Sequence, residues 1–139
     1  MIHQPGRFYL LIEVDKSAAQ SVFFNLRENK YPVFIHPTMD LIEKYLPEMK
    51  ETVIVSSLVT ESPLQLKNGI IVPTIEKILV DIFCDDVIFS AQQGSEMRTI
   101  FEEAIKNHTV NENRLIRYAD RRGRKESFRE YLNKIFQML

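Results

Sequence analysis

Cysteine is almost missing from this chain: Cys84 is the only one in 139 residues. That excludes a disulfide framework and a cysteine-built zinc knuckle, and it fits a reducing compartment. Glycine is scarce too, with four in all. Neither Gly-x-Gly-x-x-Gly nor Gly-x-x-x-x-Gly-Lys occurs, so no glycine-rich turn is expected to cradle a phosphate, and no cofactor is expected. Charge of one sign is missing as well. A net charge of −1 excludes bulk attraction for a polyanion, so a nucleic-acid site would have to be a local patch. No apolar run approaches the ~18 residues that a spanning helix needs. The opening Met1-Ile-His-Gln-Pro-Gly6 has neither a basic n-region nor an apolar h-region. No membrane contact is expected, and the expected location is cytoplasmic.

What is present is the composition of a globular domain, 45% hydrophobic and 27% charged, which argues against disorder. The length suits a single domain over 1–139, with a core that needs no disulfide or metal staple. Arg7 to Val14 is apolar on both faces and predicts a strand inside a covered sheet. Asp15 and Ser17 offer caps, and Ser17 with Gln20 has capping-box spacing. A helix with Ala18, Ala19, Val22, Phe23 and Leu26 on one stripe should follow. Val33 to Ile35 reads as a short strand. Thr38 can cap a second helix lined by Met39, Ile42, Tyr45 and Leu46 and stopped near Pro47. Thr52 to Leu58 is β-branched and apolar, a third strand. This strand-helix-strand-helix-strand order predicts an α/β fold with a largely parallel sheet.

Residues 60–68 read as a polar connection or one limb of a hairpin, and Ile70-Ile71-Val72 as a further strand. Pro73 and Thr74 then open a helix whose Ile75, Ile78, Leu79, Ile82 and Phe83 share a face. The rest predicts helices only, packed on the sheet half. Ser95 is a cap candidate before the stripe Met97, Ile100, Phe101, Ala104 and Ile105. Asn111 can cap a helix that buries Leu115, Tyr118 and Ala119, and Gly123 sits where a C′ residue belongs. The last helix carries Phe128, Tyr131, Leu132, Ile135 and Phe136.

Catalytic constellations are thin. His3, His36 and His108 lie far from cysteine or acid at ligand spacing, and no Gly-x-Ser-x-Gly elbow supports a serine nucleophile; ordinary loop histidines are the bland alternative. Metal-dependent nucleases place an acid, one residue and a lysine beside a second acid. Gln65-Leu66-Lys67 with Glu61 upstream is a degenerate version, and Glu48-Met49-Lys50 has the spacing at a helix end. The alternative to a Mg²⁺-dependent nuclease is a solvated strand and loop.

Two charge patterns stand out. In the Pro73–Cys84 helix Glu76 favours the helix dipole, but Lys77 near the N-terminus and Asp81 and Asp85 near the C-terminus oppose it. Lys77 is expected to point to solvent or a partner, or else to pair with Asp81 on the surface. Further on, Arg114, Arg117 and Arg121 fall at i, i+3, i+7, with Arg122, Arg124 and Lys125 following. They suit an acidic protein surface or a nucleic-acid backbone; the alternative is pairing with Glu112, Asp120 or Glu126.

Val72-Pro-Thr-Ile-Glu-Lys-Ile-Leu-Val-Asp-Ile-Phe83 and Val110-Asn-Glu-Asn-Arg-Leu-Ile-Arg-Tyr-Ala-Asp-Arg-Arg-Gly-Arg124 resemble signatures of AbiEi-type abortive-infection antitoxins of type IV toxin–antitoxin systems. The strand order before them fits, and the resemblance covers most of the chain. It implies a bacterial, non-catalytic domain that binds and counteracts a toxin of nucleotidyltransferase fold encoded beside it. Many members also carry an N-terminal winged helix that represses their own operon, a transcriptional regulation role. Here no helix-turn-helix precedes the first strand, so either a piece of a longer protein or a stand-alone effector domain is expected, and operator binding by this stretch is not. The positions that match are Thr74, Glu76, Lys77, Asp81, Asn111, Arg114, Arg117, Tyr118, Arg121 and Arg122, carried over as a partner-binding surface with no catalytic or metal role.

Overall fold

The computed structural model describes residues 9–45, 52–90 and 92–139. Its backbone forms two compact units, 1–58 and 59–139, where the sequence pattern marks no boundary.

The first unit is the alternating one. Strand β1 (Tyr9–Val14) leads through a 3₁₀ turn (Lys16–Ala18) into helix α1 (Ala19–Glu28), then β2 (Val33–Ile35), α2 (Met39–Tyr45) and β3 (Thr52–Ser57). The sheet order is β1-β3-β2 and both pairings are parallel. The alternation therefore specifies the crossovers as expected. β3 is the central strand, with Val53, Ile54 and Val55 buried. Ala19, Val22, Phe23 and Leu26 of α1 pack with Val53, Val55, Ile12, Val14, Val33 and Ile35.

Two expectations fail here. β1 lies at the edge of this sheet and is covered only in part: Ile12 and Val14 pack with α1, but Leu10 is 62% exposed. Hydropathy records which faces are apolar but not which strand is inserted between two others. The Ser17–Gln20 capping box does not form either. The Asp15 carboxylate accepts from the Ser17 N–H at 2.9 Å and its hydroxyl at 2.7 Å, so the chain makes a 3₁₀ turn before α1, whose N-cap Ala18 gives no side-chain hydrogen bond. Thr38 does cap α2, accepting from the Leu41 N–H at 3.4 Å. The Ile42 and Tyr45 side chains, the stop at Leu46-Pro47, and Arg7 and Phe8 of the first strand segment lie outside the described residues.

The second unit opens with an antiparallel hairpin, β4 (Leu64–Lys67) and β5 (Ile70–Pro73). Asn68 and Gly69 join the strands at φ +53° and +78°, the two successive left-handed residues of a two-residue hairpin turn. Four helices follow: α3 (Ile75–Cys84), α4 (Ser95–Asn107), α5 (Glu112–Arg121) and α6 (Lys125–Met138). Their core joins Leu79, Val80, Phe101, Leu115, Tyr118, Phe128, Leu132 and Ile135. Phe83 meets the edge of Phe128 at a centroid distance of 5.3 Å.

Most helix signals behave as expected. Thr74 caps α3 by accepting from the Lys77 N–H at 3.3 Å, and Asn111 caps α5 by accepting from the Arg114 N–H at 3.0 Å. Gly123 takes φ +74°. Its N–H donates to the Asp120 carbonyl and the Arg124 N–H to that of Ala119, the paired bonds of a Schellman end. Ser95 does not cap α4; Gly94 occupies the N-cap position without a side-chain bond. Ile78, expected on the buried stripe of α3, is 40% exposed. α3 packs against both α4 and α5, so its buried sector widens to take in Glu76, Lys77 and Asp81.

Candidate functional site

Seven of the ten carried-over positions, Glu76, Lys77, Asp81, Asn111, Arg114, Tyr118 and Arg122, meet at the contact between α3 and α5. Lys77 and Asp81 are one helical turn apart and do pair, as expected, but inside the protein: they are 0% and 4% exposed. Lys77 therefore does not face solvent or a partner. The Lys77 Nζ donates to Asp81 Oδ2 and lies 5.6 Å from the Tyr118 ring centre. Asp81 Oδ1 accepts from the Tyr118 hydroxyl at 2.7 Å and from Arg122 Nη1 at 2.8 Å. Both carboxylate oxygens are thus occupied by donors, two of them supplied by α5 and its C-cap. Ser62 extends the network, its hydroxyl donating to Tyr118 Oη at 3.4 Å.

This explains the charges that oppose the α3 dipole. A dipole effect is worth about 0.3–1 kcal/mol, whereas an unpaired charge in the interior costs several. Pairing across the helices decides the placement. Asp85, one turn beyond Asp81, turns to the following loop instead, where its carboxylate accepts from the Val87 and Ile88 N–H groups at 3.0 and 2.9 Å.

Glu76 is also buried, so its role goes beyond that of an exposed dipole partner. Its Oε2 accepts from the Asn111 N–H at 2.9 Å and its Oε1 from Arg114 Nη1 at 3.2 Å. Burial pushes this carboxyl upward, but the Asn111 N–H, its own N–H and the Arg114 guanidinium together outweigh that and hold it below the ordinary carboxylate range. Burial, and next the negative charge of Asp81, push the Tyr118 phenol up. For Arg122 burial works against the charge, yet bonding to Tyr118 and attraction to Asp81 win, raising its pKa further.

The arginines divide by what they touch. Arg122 is mostly enclosed, on Asp81. Arg114 reaches Glu76 while about half of its side chain stays in solvent, 48%. Arg121 Nε donates to Thr60 Oγ1 at 2.8 Å and lies 3.6 Å from Glu61. Arg124 covers the Phe83 ring at 5.4 Å. Arg117 is exposed. Sequence-near Glu112 and Asp120, the expected local partners, are bypassed by Arg114, Arg121 and Arg122 in favour of acids 38, 60 and 41 residues away (114 − 76, 121 − 61, 122 − 81); Glu126 is met by Arg129 instead. So Thr74, Glu76, Lys77, Asp81 and Tyr118 are interior, and Asn111, Arg114, Arg117 and Arg121 form the outward edge of the same arrangement.

The other candidates lie apart from this network. Glu61 sits at φ +62° before β4 beside Arg121, and the Gln65 side chain donates to the Pro73 carbonyl at 3.2 Å. Among the described residues no group of three or more His, Cys, Asp or Glu is placed to hold a metal ion. His3 and Glu48-Met49-Lys50 lie outside the described residues. Cys84 is half-buried, and burial pushes its thiol up, away from the reactive thiolate. In the first unit a cavity of about 330 Å³ at the carboxyl ends of the parallel strands is lined by Lys16, Ser17, Gln20, Ile35, His36 and Ser57. Ligands favour such a position, but Asp15 takes up both the N–H and the hydroxyl of Ser17. No helix of the described residues is long and apolar enough to cross a membrane.

What sequence reasoning missed is the hairpin surface. Leu66, Ile70 and Ile71 are among the most exposed large hydrophobic residues in the chain. Asn68-Gly69 between an alternating limb, Leu64–Lys67, and an apolar one, Ile70–Pro73, is a hairpin signal, and it fixes which side chains share a face.

Comparison with family models matches residues 1–138 to a family of unknown function (DUF6577). No curated protein and no solved structure gives a match.

Proposed function

The chain belongs to the DUF6577 family, and we propose that it is a non-catalytic, antitoxin-like domain that binds and counteracts a partner of nucleotidyltransferase fold. The observation that carries this reading is the division of labour at α5. Its inner side is spent on a buried network, in which Asp81 and Glu76 accept from Lys77, Tyr118, Arg122, Asn111 and Arg114. Carboxylates buried and held by cationic and N–H donors are poorly placed to take a substrate proton or a metal ion, because a substrate or ion would have to displace those donors. The outer side presents Arg117, with the solvent-exposed halves of Arg114 and Arg121 beside it, along one helix whose position the same network fixes. Guanidinium groups on a rigid element suit recognition of carboxylates on another protein. A cytoplasmic setting belongs to this reading.

The experiment is co-expression with a candidate toxin of nucleotidyltransferase fold from the same host, followed by co-purification and a growth assay. Wild type is expected to co-purify and restore growth. Arg117→Glu and Arg121→Glu are expected to lose both while remaining folded by circular dichroism. Failure of wild type to bind defeats the reading. A steep salt-dependent affinity for duplex DNA, with log K falling about 0.9 per phosphate neutralised, would instead favour nucleic-acid contact by the same arginines.

A further inference from the structure

The two crossovers of the first unit run in opposite directions. α1 carries the chain from β1 past β3 to β2, and α2 brings it back to β3. Right-handed crossovers of opposite direction leave a sheet toward opposite faces. The loops after β1 and β2 therefore part above the carboxyl end of β3, the place where open α/β sheets bind ligands. The cavity of about 330 Å³ lies there, with Lys16 and Ser17 from the first loop, His36 from the second and Ser57 from the end of β3. Its size reaches the range of small-molecule sites, ~300–1,000 Å³.

The backbone pins the walls. The His36 N–H donates to the Val55 carbonyl at 3.1 Å and the Leu58 N–H to the Val14 carbonyl at 2.7 Å, so the ends of β1 and β2 are both tied to β3. His36 takes φ +43°, a left-handed conformation that a residue with a side chain adopts at a cost and that clusters at ligand sites.

The donors around the cavity are uncommitted. In the second unit Lys77, Arg114, Arg121 and Arg122 all meet carboxylates. Among the described residues, the side chains of Lys16, Gln20, His36 and Ser57 make no hydrogen bond and no ion pair. Ser17 is the exception, its N–H and hydroxyl both held by Asp15. Among the described residues no carboxylate lines the cavity. An ammonium, an imidazole, an amide and a hydroxyl without a carboxylate suit an oxyanion, which accepts from all four. Ala19 and Ile35 add an apolar part to the lining, which suits the carbon skeleton of such a ligand.

We infer that this cavity binds a small organic anion, its phosphate or carboxylate group taken by Lys16, with Gln20, His36 and Ser57 donating beside it. The site lies wholly in the first unit and is independent of the partner-binding function proposed above, so either can fail without the other.

The test is a proton–nitrogen NMR titration of the full chain with glycerol phosphate and with succinate, and with glycerol as the uncharged control. Saturable shifts are expected at Lys16, Ser17, Gln20, His36 and Ser57, with a Kd of about 1 mM or tighter for at least one of the two anions. A response to glycerol phosphate alone identifies phosphate as the group bound, and a response to succinate alone identifies carboxylate. Lys16→Ala is expected to weaken binding about tenfold or more, the size of one charge-assisted hydrogen bond, and Ser57→Leu to weaken it by filling the cavity. Arg27→Ala, which removes an exposed cation of α1 outside the lining, should leave binding unchanged. Lys16 is exposed, so its variant is expected to keep the wild-type circular dichroism. No saturable shift with either anion, equal shifts with glycerol, shifts scattered over the lysines and arginines of both units, or an undiminished response in Lys16→Ala overturns the site.

Discussion

The Tyr118 hydroxyl on α5 donates to Asp81 Oδ1 on α3 at 2.7 Å, across 37 residues of sequence. The bond joins an aromatic core residue to the carboxylate that neutralises Lys77, so packing and charge pairing fix the same helix contact. Removing the Asp81 carboxylate takes a counter-charge away from the buried Lys77 and an acceptor away from Tyr118 and Arg122. Asp81→Ala is expected to cost about 3–5 kcal/mol, read from urea unfolding. The double change Lys77→Met with Asp81→Leu should recover much of that, since it removes the buried pair together. A loss under about 1 kcal/mol in the single variant would show that water already reaches the pair.

Tyr118→Phe keeps the ring and deletes one donor. A hydrogen bond to a charged group contributes about 1.5–3 kcal/mol, and a loss of that size is expected. In an Asp81→Ala background the same change should cost far less, because its acceptor is gone. Additive losses in this double-mutant cycle would contradict the coupling.

Glu76 gives stability a pH dependence of known sign. Its folded carboxyl is held below the ordinary value by the Asn111 and Glu76 N–H groups and Arg114, against the upward push of burial. The unfolded chain, near ~4.3, therefore binds the proton more readily. The contribution is fully present above the unfolded value and is lost as pH falls through the folded one. Chemical denaturation between pH 6 and pH 3 (roughly the window about that value) should show wild type losing more stability on acidification than Glu76→Gln. Parallel curves would remove Glu76 from the acid transition.

Gly123, at φ +74°, has open space where a Cβ would project, so Gly123→Ala should not clash. Its cost should be conformational alone, about 1 kcal/mol, measurable as a small drop in denaturation midpoint with unchanged slope. A loss several times larger would mean that the α5–α6 junction tolerates no adjustment.

The sequence carried local information well. Periodicity marked the strand-helix alternation, because a parallel pair requires a crossover between strands. Thr74, Asn111 and Gly123 were legible as caps because each satisfies backbone groups within a few residues of itself. Ser17 and Ser95 have the same chemistry yet do not cap, since Asp15 captures Ser17 and α4 starts one residue too early for Ser95.

The unfavourable placement of Lys77 and Asp81 was visible in the order of residues, and so was the spacing of Arg114, Arg117 and Arg121. Periodicity along a helix says nothing about what lies across from it. Only the tertiary structure brings α5 onto α3, which turns an i,i+4 pair expected on the surface into a buried one and sends the arginines to Glu76, Asp81 and Glu61 rather than to neighbouring acids. Only the tertiary structure, too, puts β3 between β1 and β2 and leaves Leu66 and Ile71 in solvent. Hydropathy fixes which residues prefer burial; the number of elements packed around each one decides which are buried, and that number depends on contacts between residues far apart in the chain.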